Sequence, residues 1–128
     1  MKIEHLAIWA SDLETMREFY CNQLGFQSNE LYHNPKRGFY SYFLSGSEGA
    51  RLELMSQADI MDHGTIRGKR IGLAHFAISL GSEERVDQLT EVLRSAGTPI
   101  IGEPRRTGDG YYESIIADPE GNWIELTV

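Results

Sequence analysis

The chain contains one cysteine, Cys21, in 128 residues. An internal disulfide is therefore excluded, which fits a reducing compartment. No apolar run approaches the roughly 20 residues that a membrane helix requires. Glu4, His5 and Asp12 fall where a secretory signal would carry its apolar core, so no signal segment is read there. Basic side chains are scarce, with 12 Lys and Arg against 19 Asp and Glu and a formal net charge of −7. A field of that sign opposes phosphate backbones and anionic membranes, so neither nucleic acid nor membrane is an expected partner. A Gly-rich phosphate loop, a Cys pair and a nucleophile elbow are all missing. Cys21 has no His placed to activate it and reads as a structural thiol. The expectation is a cytoplasmic protein that acts on a small molecule.

What is present is a globular composition, 41% hydrophobic and 24% charged, in a length that suits one domain. The chain is built twice. Ile3-Glu4-His5-Leu6-Ala7-Ile8 recurs as Leu73-Ala74-His75-Phe76-Ala77-Ile78, and Gly49-Ala50-Arg51-Leu52-Glu53-Leu54 recurs as Gly121-Asn122-Trp123-Ile124-Glu125-Leu126. Alternation in the first segment puts Ile3, His5, Ala7 and Trp9 on one strand face and Leu6 and Ile8 on the other. Ser11 with Glu14 reads as a capping box. Leu13, Met16, Tyr20 and Leu24 then follow at helical spacing up to Gly25. Ser82 caps a second helix, whose stripe is Val86, Leu89, Leu93 and Ala96 and whose stop is Gly97.

Three strand-like runs follow each helix, at about 25–32, 38–44 and 50–56 and again at about 99–103, 111–117 and 122–128. Turns at Gly46-Ser47-Glu48-Gly49 and Asp118-Pro119-Glu120-Gly121 separate the last two runs of each half. Each half is therefore β-α-β-β-β. The expected class is α+β, with module 1 at about 1–56, a linker at about 57–71 and module 2 at about 72–128. Phe39, Tyr40, Tyr42 and Phe43 run along one strand, and core burial is expected for at least half of them.

The repeat places one His on the first strand and one Glu on the last strand of each half, namely His5 and Glu53, then His75 and Glu125. Alone, each reads more readily as a core or edge histidine or a solvated carboxylate than as a ligand. Together they occupy equivalent positions, and imidazole with carboxylate is a usual donor set for divalent transition metals. Two modules packed about a pseudo-twofold axis would bring all four to one point. His33 and His63 have no repeat counterpart and are read as non-ligands.

Residues 3–8, Phe19-Tyr20 with Leu24-Gly25-Phe26, residues 73–77 and Asp118-Pro119-Glu120-Gly121-Asn122-Trp123-Ile124-Glu125-Leu126 together resemble the vicinal oxygen chelate superfamily. The resemblance covers nearly the whole chain. It implies two tandem β-α-β-β-β modules forming an open, cupped mixed-sheet barrel with helices outside. It also implies a divalent metal, zinc or nickel with cobalt or manganese as alternatives, and a homodimer. The set His5, Glu53, His75 and Glu125 is similar to that of bacterial-type glyoxalase I. That likeness implies a lyase or isomerase acting on a 2-hydroxy carbonyl compound or hemithioacetal through a metal-stabilised enediolate, with Glu125 or Glu53 moving the proton. Alternatives within the superfamily are an acyl-CoA epimerase and a protein that sequesters a drug or metabolite.

Arg37, Tyr112, Trp9 and Trp123 are the candidate substrate contacts. Lys36-Arg37, Lys69-Arg70 and Arg105-Arg106 are basic pairs in or near loops, read first as solvated loop charges, with one of them open to a substrate carboxylate or phosphate. Tyr111 and Tyr112 follow Gly108-Asp109-Gly110 and alternate, so one of them should face the site. Trp9 shares a face with His5, and Trp123 shares one with Glu125. After Glu53 the chain reads Leu-Met-Ser-Gln, unlike glutathione-using relatives, so the thiol is left open.

Overall fold

A computed structural model describes every residue except 62, 63, 65, 70 and 109. His63, Arg70 and Asp109 of the sequence reading thus lie outside the described residues. The chain forms two compact units, Met1–His63 and Gly64–Val128. Each is a mixed sheet with one long helix, the α+β architecture expected from the repeat. No helix among the described residues is long and apolar enough to cross a membrane.

The first unit runs β1 (His5–Trp9), α1 (Leu13–Leu24), β2 (Gln27–Ser28), β3 (Tyr32–Asn34), β4 (Phe39–Ser45) and β5 (Arg51–Gln57). The strand order is β1-β5-β4-β2, with β3 also pairing with β4. Among the described strands of this unit, β1 and β5 pair in parallel and the others antiparallel. One strand expected at about 25–32 is instead two short ones. Asn29 breaks the run: its backbone N–H donates to the Phe43 carbonyl, and its side-chain oxygen accepts from the Phe43 N–H at 2.7 Å.

Helix α1 begins one residue later than the Ser11 box predicts. Asp12 is the N-cap, accepting from the Thr15 N–H at 3.0 Å and the Thr15 hydroxyl at 2.8 Å. Glu14 is drawn away from the cap. It accepts from the Tyr42 hydroxyl at 2.5 Å and from Arg17 at 2.9 Å. At the far end Gly25 takes the left-handed conformation, φ 74°, that a side chain resists, and its N–H reaches the Tyr20 carbonyl. The helix buries Met16, Phe19 and Tyr20 on the side of the sheet that carries Ile8, Leu52, Leu54, Tyr42 and Leu44. Burying each such side chain contributes about 1.5–3 kcal/mol before entropy is counted.

The second unit holds a 3-10 turn (Arg67–Lys69), β6 (His75–Ser79), α2 (Glu83–Ser95), β7 (Ile100–Arg106), β8 (Tyr112–Ala117) and β9 (Trp123–Thr127). Its order is β6-β9-β8-β7, again with the first and last strands parallel. Ser82 caps α2 as expected, accepting from the Arg85 N–H. Val86, Thr90 and Leu93 are buried on the helix, and Ile116, Ile124 and Leu126 are buried in the sheet. One polar contact lies in this core. The Thr90 and Ser114 hydroxyls meet at 2.7 Å, and Thr90 also donates to the Val86 carbonyl. Asp118, almost fully buried, accepts from the backbone N–H groups of Glu120 and Asn122 and from the Asn122 amide, which fixes the turn into β9.

Two stability outcomes follow from these contacts. Tyr42 and then Arg17 hold the Glu14 carboxyl below its ordinary value of 4.5. Its contribution is therefore present above pH 4.5 and lost as pH falls through the lower folded value. Tyr42→Phe should cost about 1 kcal/mol at pH 7, and thermal melts at pH 3 should show that difference shrinking. Thr90→Val should cost about 1–3 kcal/mol by stranding the Ser114 hydroxyl. Chemical denaturation should find the Thr90→Val, Ser114→Ala double variant recovering part of that loss.

Candidate metal centre

The parallel pairing of first and last strands sets the same arrangement in both units. In the first, His5 lies opposite Arg51 and Ala7 opposite Glu53. In the second, His75 lies opposite Trp123 and Ala77 opposite Glu125. Side chains two residues apart share a face, so each His and its Glu project from the side of the sheet that the helix leaves open. His5 Nε2 stands 3.8 Å from a Glu53 carboxylate oxygen, and His75 Nε2 stands 3.2 Å from one of Glu125. The exposures match as well, 40% and 15% for His5 and Glu53, 40% and 16% for His75 and Glu125.

The first pair is oriented further. His5 Nδ1 meets a Glu4 carboxylate oxygen at 2.5 Å. Glu4 in turn accepts from Arg51 Nε at 2.8 Å and Nη2 at 2.5 Å. His5 and then Arg51 hold the Glu4 carboxyl below its ordinary value. In the tautomer that donates from Nδ1 to Glu4, Nε2 presents a lone pair toward Glu53. A lone pair and a carboxylate facing each other are satisfied by a proton or by a metal ion between them. Ligands each about 2.1 Å from one ion stand roughly 3–3.4 Å apart, close to both observed separations. A carboxylate on the far ring nitrogen is the usual support of a metal-binding His. The residues present therefore fit a divalent ion by donor chemistry. Two donors in each unit are half of the usual set, and among the described residues no group of three or more His, Cys, Asp or Glu stands together.

The other sequence candidates divide. Trp9 lies on the His5 face opposite Met55, and its ring meets Phe39 edge-on at 6.1 Å. Arg37 precedes β4, with its guanidinium 5.9 Å from the Phe39 ring centre. Trp123 lies on the Glu125 face, covered by the 3-10 turn. A Cβ at Gly68 would fall 2.1 Å from its indole. Tyr112 is not brought to the site. Strand parity turns it toward α2, where its phenol donates to Asp87 at 2.7 Å, and that bond holds the phenol above its ordinary value of 10.0. Of the β4 aromatics, only Tyr42 is buried on the helix side. Tyr40 is exposed, while Phe39 and Phe43 lie on the His5 face, contrary to the core burial expected for half of them.

Sequence reasoning missed three site-face groups. Glu4 supports His5, and its only signal was adjacency. Phe43 meets the His5 ring edge-on at 5.5 Å and carries the Arg51 guanidinium over its face at 4.2 Å. Glu113, nearly buried, shares the Glu125 face and lies 3.5 Å from Arg105. Counting back by twos from Ile115, which is opposite Glu125, would have found it.

A family model described as the Glyoxalase/Bleomycin resistance protein/Dioxygenase superfamily matches residues 2–126. The chain is 36% identical over 126 residues to the uncharacterized protein YwkD of Bacillus subtilis, covering 97% of this chain and 94% of that one. Among solved structures, the trypanothione-dependent glyoxalase I of Leishmania major is similar with a TM-score of 0.78 at 24% identity, over 99% of this chain and 86% of that one. Glyoxalase I from Zea mays gives a TM-score of 0.80 at 24% identity, over 98% of this chain and 44% of the longer maize chain.

Gly68→Ala tests how the turn holds Trp123. The added methyl must displace the indole, so a loss of about 1–3 kcal/mol should accompany a shift in tryptophan fluorescence. An unchanged spectrum at unchanged stability would contradict the packing described.

Proposed function

The chain belongs to the Glyoxalase/Bleomycin resistance protein/Dioxygenase superfamily, and from that premise we propose that it is a metal-dependent, glyoxalase I-like lyase or isomerase. The substrate class is a 2-hydroxy carbonyl compound or a hemithioacetal. The observation that carries this reading is the duplicated His–Glu pair, with matching register, exposure and spacing in both units. His5 and Glu53 supply half of a ligand set and His75 and Glu125 the other half, whether from one chain or from two in a homodimer. Two imidazoles and two carboxylates suit zinc or nickel, and also cobalt or manganese.

When bound, such an ion acts as a Lewis acid that offsets the negative charge developing on the substrate as a proton leaves carbon. The chain's own residues do the rest. Glu125 or Glu53 accepts that proton on a carboxylate oxygen and returns it to the neighbouring carbon, each lying on a sheet face within reach of a bound substrate. Partial burial of both carboxylates limits competition from water. Glu4 keeps the His5 proton on Nδ1, so that Nε2 stays available as a donor atom.

Metal analysis of the purified protein tests the reading, beside hemithioacetal isomerisation with added nickel or zinc. Near-stoichiometric uptake is expected, cut sharply in Glu53→Gln and Glu125→Gln. Glu4→Gln should lower metal affinity by about 10–100-fold without loss of fold. Uptake below one tenth of an equivalent, unaltered in either Glu variant, would falsify the four-ligand site. Ligand-induced thermal stabilisation without turnover would instead mark a sequestering protein.

A further inference from the structure

The His5 face of the first unit carries more than the His–Glu pair. Trp9, Phe39 and Tyr32 form a continuous edge-to-face set, with Phe39 6.1 Å from Trp9 and 6.3 Å from Tyr32 by ring centres. Tyr32 is 53% exposed and Trp9 and Phe39 only half-buried, so these rings are not spent on the core. Trp9 is opposite Met55, two residues along β5 from Glu53. Two residues of strand span about 7 Å, roughly the length of one aromatic ring beyond the carboxylate.

Two polar groups lie at the Phe39 end. Gln57 is opposite Phe39, and its Nε2 donates to Asp59 while its Oε1 is buried with no donor among the described residues. Such an orphaned acceptor costs stability unless something donates to it. The second group is Arg37. Arg17, Arg51, Arg67, Arg94, Arg105 and Arg106 each pair with a carboxylate, and Arg85 donates to the Leu80 carbonyl. Arg37 faces the Phe39 ring and, among the described residues, no carboxylate. A hydroxyl satisfies both, donating to Gln57 Oε1 and accepting from Arg37, and the adjoining aromatic rings favour one borne on a ring, a phenol.

We propose that the substrate carries a hydroxylated aromatic ring, held against the exposed sides of Trp9 and Phe39 with its hydroxyl at Gln57 and Arg37, while its 2-hydroxy carbonyl end lies at the His5–Glu53 pair. This inference rests on the function proposed above and assigns the substituent that the function left open. Trp9 and Phe39 set selectivity through the ring, since aromatic pairing adds to burial. Gln57 sets it through the hydroxyl.

Lactate, mandelate and 4-hydroxymandelate are graded probes, each with the same 2-hydroxy acid end. Binding is read by calorimetry on zinc-loaded protein and by quenching of Trp9 fluorescence in a Trp123→Phe background. Metal content is measured on every sample. Mandelate should bind about tenfold more tightly than lactate, and the hydroxyl should add a further factor of about 2–10. Trp9→Ala should bring the mandelate-to-lactate ratio below threefold, with Phe39→Leu as a second variant should Trp9→Ala melt early. Gln57→Leu should remove the hydroxyl increment alone. Equal binding of lactate and mandelate, or a ratio unmoved by either ring variant, overturns the ring slot. A hydroxyl increment that survives Gln57→Leu overturns the role of Gln57. Failure is separable from that of the parent reading: full metal uptake without discrimination removes only this inference, whereas Trp9 quenching by mandelate without metal uptake removes the metal site and leaves the slot.

Discussion

The parallel register of the first and last strands governs everything else at the candidate centre. In both units the Glu is opposite an Ala that lies two residues beyond the His. That offset puts imidazole and carboxylate on one face within a few ångströms. The small Ala side chains leave the space between them open. A slip of one residue would send Glu53 or Glu125 into the helix-packed face, among Leu52 and Leu54 or Ile124 and Leu126, where an unpaired carboxylate is costly. The aliphatic neighbours of each Glu thus hold it in place. Helix packing, caps and turns all serve to keep this register.

Much of that was legible in the sequence because it was written twice. Alternation around His5 and Glu53 alone is a weak signal, but the same alternation 70 or so residues later is a strong one. The helices were legible through their stripes and glycine stops. The two His–Glu pairs were legible only as equivalent positions, because pairing partners of strands distant in sequence cannot be read from one strand's pattern.

What stayed hidden has physical reasons. Tyr111 and Tyr112 are adjacent, so parity alone offers either one to the site, and only the contact of Tyr112 with Asp87 decides the matter. Phe39 and Phe43 look like core residues, but strand parity places both on the His5 face, away from the helix. Asp12 displaces Ser11 as the cap because its carboxylate takes both the N–H and the hydroxyl of Thr15, while Tyr42 competes for Glu14. That competition comes from a residue 28 positions away and has no local signature.

The two units are not interchangeable. Where the first has Glu4 and Arg51, the second has Ala74 and Trp123. His5 is steered by an exposed ionic chain running Arg51–Glu4–His5, whereas beside His75 the equivalent space belongs to an indole packed under a backbone turn. Exposed charges are screened within about 8 Å at physiological ionic strength, while ring packing is indifferent to it. Salt therefore acts as a one-sided tuner. Raising it loosens the hold of Arg51 and Glu4 on the His5 ring and leaves the setting of His75 as it was, so a duplicated pair that looks symmetric is wired to answer its surroundings through one half.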